Sequence, residues 1–263
     1  KTTTVAHLAV ALEELDHNVL IIDLAGKQGD LAKHFGAWDE YREQVDNDEA
    51  WPNISTVFDD SWGTIAKKLG DDAVADLVIE TAEGPSLIPA HPGLDTLDSD
   101  LGNIDDARER YTRLEQFLDE YVDPLDYDVV LIDLPGMTNN VTYNGLWAAR
   151  HAITAEQADA LRRDLEKIDE NFSLDIELSL VLPNKVDTRT NLAEEYLSSF
   201  EEEYSDAIAP GYVPYSQDIR NAAQRGTTAF ALESPSTTAQ DAREAYLDAA
   251  EMLITRLEGD GHV

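Results

Sequence analysis

With 54 acidic against 19 basic residues in a chain of 263, the formal charge is −35, yet 43% of the residues are hydrophobic. That apolar content excludes a disordered acidic protein and fits a solvated acidic shell over an ordinary core, as in proteins of very salty cytoplasm. The lack of cysteine excludes disulfides, thiolate metal sites and iron–sulfur clusters, and no apolar run nears the roughly 20 residues that cross a bilayer, so a cytoplasmic halophile protein is expected.

In chain order, Val5, Leu8, Ala9, Leu12 and Leu15 recur at helical spacing and predict a helix over 1–15. A turn at Asp16-His17-Asn18 leads to the apolar run Val19-Leu20-Ile21-Ile22, a buried strand closed by Asp23. A glycine-containing loop, Ala25 to Asp30, precedes a short helix at 31–35. Residues 37–63 read as an acidic, irregular connection anchored to the core by Trp38, Trp51 and Trp62. Helical segments are expected near 62–69 and 72–81, a strand at 86–89, and an amphipathic helix over 105–121 with Leu114, Phe117, Leu118 and Tyr121 facing inward.

The stretch 127–136, Tyr-Asp-Val-Val-Leu-Ile-Asp-Leu-Pro-Gly, is a second apolar strand that ends in an acid, Asp133, before Pro135-Gly136 breaks it. Beyond it come a loop and helix over 138–150, a very short strand at 151–154, a helix at 155–171 and a strand at 176–182. A helix at about 190–203, a short strand at 212–214, a helix at 218–225 and a terminal helix at about 238–258 complete the pattern. Strand–helix alternation of this kind predicts an α/β fold: a single domain over 1–263 with a doubly wound, mainly parallel sheet flanked by helices. In such sheets ligands bind at the carboxyl ends of the strands, where Asp23 and Asp133 stand.

Lys1-Thr2-Thr3-Thr4 opens a helix and is followed by a strand ending in an acid, the arrangement of the tail of a phosphate-binding loop. Together, KTTTVAHLAVALEELDHNVLIIDLAGKQGD and YDVVLIDLPGMTNN, followed by PNKVDTRTNLAEE and VPYSQDIRNAAQRGTTAFAL, resemble the deviant Walker ATPases of the ParA/MinD group, above all chromosome and plasmid partition ATPases. The resemblance implies a P-loop NTPase fold that binds ATP and Mg²⁺. It implies Lys1 as the phosphate-loop lysine, Thr2 as a Mg²⁺ ligand with Thr3 beside it, Asp133 as holder of the Mg²⁺-bound water, and Asp23 as the switch carboxylate and a further metal-side group. Gly136 would start the loop that senses the terminal phosphate, and Asn184, Asp187 and the backbone around Pro214 would face the base.

Departures from the family pattern accompany the resemblance. The second acid of its D-x-D motif, which positions or activates water, is Ala25 here, with Asp23 or Asp30 as substitutes. Where the family has a strand, a loop and then a helix, His151-Ala152-Ile153-Thr154 runs straight into the next helix, roughly ten residues short by family comparison. Asn184-Lys185-Val186-Asp187 also reads literally as the guanine tetrad N-K-x-D of GTPases, so ATP and GTP both stand at this point. Arg189, Arg220 and Arg225 are the DNA-contact candidates, with Arg162, Arg163 and Lys167 as a second basic cluster. The terminal helix places Ala242, Ala245, Tyr246, Ala249, Leu253 and Leu257 on one face, which predicts core packing, and bears acids on its polar face, against a membrane-targeting role.

The resemblance implies a nucleoid-associated switch: an ATP-sandwich homodimer that holds non-specific DNA and is opened by hydrolysis stimulated by a DNA-bound adaptor of ParB type. The rival reading is a nucleotide-binding scaffold or positioning protein with little or no hydrolysis, motivated by Ala25. A ligase-type relative is a third.

Overall fold

The structure, a computed structural model, describes residues 1–25, 29–46, 52–70, 73–136, 138–155, 158–172, 174 and 176–259. Trp51 and residues 26–28 of the glycine-containing loop, for which readings were given above, lie outside them, as do 71–72 and 156–157. Contacts divide the chain into two compact bodies, one made of Lys1, residues 3–16 and 150–263, the other of Thr2 and residues 17–149.

The second body is built on a four-stranded sheet. Its strands are β1 (Val19–Asp23), β2 (Ile79–Glu80), β3 (Ser86–Ile88) and β4 (Val129–Asp133), in the order β2-β3-β1-β4. β1 is parallel to both β3 and β4, and β2 alone is antiparallel. All five residues of β1 are buried, as a strand covered on both faces must be. In β4 the run alternates instead: Val129, Leu131 and Asp133 are buried while Val130 and Ile132 are only half-buried.

Between β1 and β2 lie α2 (Asp30–His34), α3 (Trp38–Asp46), a 3-10 turn at Ile54–Phe58 and α4 (Trp62–Leu69). The expected irregular connection thus contains a helix, α3. Its acids Asp39 and Glu40 sit in the first turn, where they complement the helix dipole. Trp62 is buried, as expected of a core anchor, but Trp38 is 37% exposed and stacks on Tyr41 instead. The expected helix at 72–81 is not present in 73–81, where one 3-10 turn at Ala75–Leu77 leads into β2 along β3. A helix absent from the expectation, α5 (Leu94–Gly102), follows β3.

The single helix expected over 105–121 is broken into α6 (Ala107–Tyr111) and α7 (Arg113–Phe117), with a π turn at Leu118–Val122. The cause is Asn144 of α8 (Asn140–Ala148), a fully buried side chain. Its Oδ1 accepts from the Arg113 backbone N–H at 3.1 Å and its Nδ2 donates to the Arg110 carbonyl at 2.9 Å. The side chain thereby satisfies both backbone groups at the break. The predicted inward face is nevertheless correct: Leu114 and Phe117 are buried in the core with Leu20, Ile22, Ile54, Phe58 and Trp62, and Leu118 and Tyr121 pack against it.

In the first body, α1 (Thr2–Glu14) is buried over most of its circumference. β5 (His151–Thr154) runs parallel to β6 (Glu177–Val181), and β7 (Asn184–Val186) runs parallel to β8 (Val213–Pro214). The helices are α9 (Ala158–Phe172), α10 (Asn191–Glu203), α11 (Gln217–Gln224) and α12 (Thr237–Gly259). The last packs on β6 and β8 through the predicted face, with Ala242, Ala245, Tyr246, Ala249 and Leu253 buried. Among the described residues no helix is long and apolar enough to cross a membrane.

Phe117 meets Trp62 edge-on at 5.6 Å and Tyr121 at 6.1 Å, and it is 1% exposed. Phe117→Ala is expected to cost about 3–5 kcal/mol of stability, the usual range for emptying a buried aromatic site, measured by urea denaturation.

Candidate functional site

Parallel pairing of β1 with β4 places Asp23 directly opposite Asp133, at the carboxyl ends of neighbouring strands. Both carboxylates are only 2% exposed. Thr2, the first residue of α1, donates its hydroxyl proton to Asp133 Oδ2 at 2.8 Å. Asp23 Oδ1 accepts the backbone N–H of Ala25 at 2.9 Å, so the chain folds back on the acid as it leaves the strand. Burial, then the neighbouring Asp133 charge, pushes the Asp23 carboxyl up from 3.8 to about 7, against the opposing bond from Ala25. Thr2, Asp23 and Asp133 are therefore one constellation.

Ala25 is exposed, and no carboxylate stands at its position. Asp30 is near enough for its charge to add to the upward push on Asp23, and it pairs with Lys33 at 3.0 Å. Tyr41 gave no signal in the sequence, yet its buried ring lies on the loop that follows β1. A Cβ added to Gly29 would come within 2.6 Å of Tyr41 Cε1, and Gly29 has φ +57°, so both the space and the backbone there require glycine. The phenol is pushed upward by burial, Asp23 and Asp30. Gly136, three residues beyond Asp133, is exposed and faces open space.

In the first body, Lys1 is the exposed N-cap residue of α1, and its carbonyl accepts from Val5 N at 3.0 Å. Thr3 is half-buried, and its carbonyl bonds His7 Nδ1 at 2.8 Å. Because Ala229 N–H donates to His7 Nε2 at 3.0 Å, the ring carries its proton on Nδ1 and donates it to Thr3. Asn184 Nδ2 donates to Thr4 Oγ1 at 2.9 Å. Asp187 is gripped by Arg189, whose Nε and terminal nitrogen donate at 2.7 and 2.6 Å, and its carboxyl is held down at about 2 chiefly by those bonds. Pro214 pairs in register with Val186.

Of the basic candidates, Arg220 is exposed in the middle of α11 and Arg225 just beyond its end. Arg189 is committed to Asp187. The second basic cluster is neutralised locally: Arg162 pairs with Glu203 and Asp159, Lys167 pairs with Asp164, and Arg163 bonds the Asp159 carbonyl.

The AAA domain family model (AAA_31) matches residues 1–172, more than half of the chain. The chain belongs to this family, as a ParA/MinD-type P-loop ATPase. It is 25% identical over 265 residues to the chromosome partitioning protein ParA of Caulobacter vibrioides, covering 97% of this chain and 90% of that one. It is 24% identical over 261 residues to the sporulation initiation inhibitor protein Soj of Bacillus subtilis, covering 95% and 92%. Among solved structures it is similar to a cobyrinic acid a,c-diamide synthase of Mycobacterium smegmatis with bound ADP and magnesium. There the TM-score is 0.70 at 25% identity, over 99% of this chain and 90% of that one.

Membership of this ATPase group implies nucleotide and Mg²⁺, and the constellation fits the ion. Two buried carboxylates side by side repel each other, and a divalent cation relieves that repulsion. Among the described residues no group of three or more His, Cys, Asp and Glu could hold a metal. Mg²⁺ takes one or two carboxylates and completes its shell with phosphate oxygens and water.

The raised Asp23 carboxyl sets a pH dependence. Unfolded, it ionises near 3.8; folded, near 7. Between those values the unfolded chain sheds the proton first, so stability falls as pH rises from 4 to 7 and the loss is complete above 7. The magnitude is on the order of 4 kcal/mol. Asp23→Asn is expected to remove that slope. In metal-free urea melts at pH 5, 6, 7 and 8, the stability of wild type relative to the variant should decline with pH; a flat difference refutes the assignment.

Proposed function

We propose that this chain is a ParA-type ATPase that works as an ATP-dependent, dimerising, DNA-binding switch in plasmid or chromosome partition. The observation that carries the reading is the Thr2–Asp133–Asp23 constellation at the start of α1 and the ends of β1 and β4. The similarity to partition proteins supports the biological role.

The first backbone N–H groups of a helix have no partner within it, so the amino end of α1 offers donors to the phosphates of ATP. Lys1, at the N-cap, supplies the cation for the terminal phosphate. Thr2 and Asp133 would hold Mg²⁺ by hydroxyl and by bound water, with Asp23 beside them. When bound, the ion neutralises charge on the carboxylate pair and on the phosphate oxygens. Asp23, ionised, orients the attacking water, in the role of the family's second acid, with Asp30 as the other substitute. Gly136, unobstructed, lets the loop after β4 approach the terminal phosphate. Asn184, Asp187 and the backbone at Pro214 form the base side.

In this reading two copies close over ATP and present their basic surface to DNA, and a DNA-bound adaptor of ParB type stimulates hydrolysis and opens them. Arg220 and Arg225 are the DNA contacts; Arg189 serves Asp187 instead. The acidic shell suits a salty, nucleoid-containing cytoplasm. The second reading, a nucleotide-binding scaffold, is favoured by one observation, the exposed alanine in place of the second switch acid.

Single-turnover phosphate release in high-potassium buffer separates the two. The switch predicts slow, Mg²⁺-dependent release that Asp133→Asn abolishes, whereas ATP bound without release supports the scaffold. For DNA, Arg220→Ala and Arg225→Ala are each expected to weaken ATP-dependent retention severalfold, the loss of one phosphate contact apiece. Retention unchanged in both removes α11 as the contact.

A further inference from the structure

The segment Asn184-Lys185-Val186-Asp187 matches the guanine-reading tetrad letter for letter, and the structure gives each of its two polar ends a partner that guanine readout cannot accommodate. We propose that Thr4, Tyr246 and Arg189 are positioning residues that set this segment to read adenine and refuse guanine. The inference rests on the ATPase reading and adds the residues that decide its base selectivity.

Guanine presents two donors on one edge, N1–H and the exocyclic amine, and the tetrad's aspartate reads them with both carboxylate oxygens. Here those oxygens are occupied. Arg189 Nε donates to Asp187 Oδ1 at 2.7 Å, a terminal guanidinium nitrogen donates to Oδ2 at 2.6 Å, and the Arg189 backbone N–H adds a third bond to Oδ1 at 3.2 Å. A two-pronged, charge-assisted grip of this kind is among the stronger side-chain interactions. With both lone pairs of Oδ1 taken, a guanine read by both oxygens would have to displace an Arg189 bond.

At the other end, Asn184 turns its amide nitrogen inward. Nδ2 donates to Thr4 Oγ1 at 2.9 Å and lies 3.5 Å from the Tyr246 hydroxyl. Thr4 is 4% exposed and Tyr246 wholly buried, so the amide faces a closed polar wall. That wall is fixed: the Tyr246 ring stacks on His7 at 5.0 Å, and His7 is held at both nitrogens by Thr3 and Ala229. The backbone makes the same choice. Register between β7 and β8 shifts between Asn184 and Val186, and the extra residue, Lys185, takes φ +59°. A bulge with its added residue in the left-handed region re-aims the neighbouring side chain.

With the nitrogen tied inward, the acceptor Oδ1 is what Asn184 has to offer, and it accepts from no residue among those described. Adenine carries an amine, a donor, at position 6; guanine carries a carbonyl there. An outward amide oxygen attracts the first and repels the second. Both ends of the segment therefore discriminate in the same sense.

Calorimetric titration of the chain with the non-hydrolysable analogues of ATP and GTP, each with Mg²⁺, tests this. Wild type is expected to prefer the adenine analogue by roughly tenfold or more, the worth of one to two hydrogen bonds. Arg189→Ala frees Asp187 and should move the ratio about tenfold toward GTP through a gain in GTP affinity, with Arg189→Lys in between. Arg189 is 82% exposed, so its loss leaves the core untouched. The double variant Thr4→Val, Tyr246→Phe, close in volume at both sites, should move the ratio toward one by weakening ATP. A ratio unchanged in both Arg189→Ala and the double variant overturns the proposal, as does a wild type that prefers GTP. Failure of wild type to bind either analogue overturns the ATPase reading itself.

Discussion

Two carboxylates forced side by side in a dry place are the constraint on which the second body turns. Nothing in the chemistry of Asp23 and Asp133 draws them together. They are neighbours because Val19 to Ile22 pairs with Val129 to Ile132 in strict parallel register, and the next residue of each strand is an acid. The four aliphatic pairs supply burial; the acids absorb a cost in desolvation and like-charge repulsion, visible in the Asp23 carboxyl raised to about 7. Hydrogen bonds offset part of it, among them those from Thr2 to Asp133 and from the Ala25 and Leu31 amides to Asp23. A divalent cation would relieve like-charge repulsion of this kind.

The surrounding polar groups show a common device, a buried side chain that takes over a backbone or side-chain bond from the regular ladder. Asn144 ends α6 and starts α7 by accepting from one residue and donating to another. His7 accepts the Ala229 amide and donates to Thr3, which ties α1 to the chain ahead of α12. Asn184, half-buried, only donates, and its bond to Thr4 ties β7 to α1. Each is a polar group that is costly to bury unpaired and inexpensive when paired. The result is that α1 is held in the first body by specific bonds and not by packing alone.

What the sequence made legible follows from how local each cause is. The strands β1 and β4 and the acids at their ends could be read because a long apolar run closing in a carboxylate is a local pattern. The inward face of 114–121 and that of α12 were legible for the same reason, since periodicity survives even where the helix is broken. The break itself was not, because its cause, Asn144, lies more than thirty residues away in the chain. The helix α3 was hidden by its composition: only Tyr41 among its residues is buried, so there is no apolar stripe to count. Tyr246 was placed on the packing face correctly, but a tyrosine among alanines gives no sign that its hydroxyl meets Asn184 and Thr4. The carboxylate pair, set by strand register, was readable; the groups that orient loops around it, set by tertiary contact, were not.

The charge of −35 looks hostile to a DNA-binding role, yet the distribution of acids around α11 answers much of that objection. Asp218, the acid in its first turn, is turned to the Ser236 amide at 3.0 Å. The rest of the helix offers the donors Gln217, Arg220, Asn221 and Gln224, with Arg225 after it, close enough to Asp218 for the two charges to interact. In about 1 M salt the screening length is roughly 3 Å, so distant acids contribute little repulsion and only groups in contact with a phosphate matter. The same screening weakens the counterion-release gain on which ordinary non-specific binding relies. A DNA contact in this setting must therefore depend on close, hydrogen-bonded phosphate contacts, to which uncharged amides contribute as well as arginines. A surface poor in lysine and built from arginine and amide side chains is the form such a contact would take.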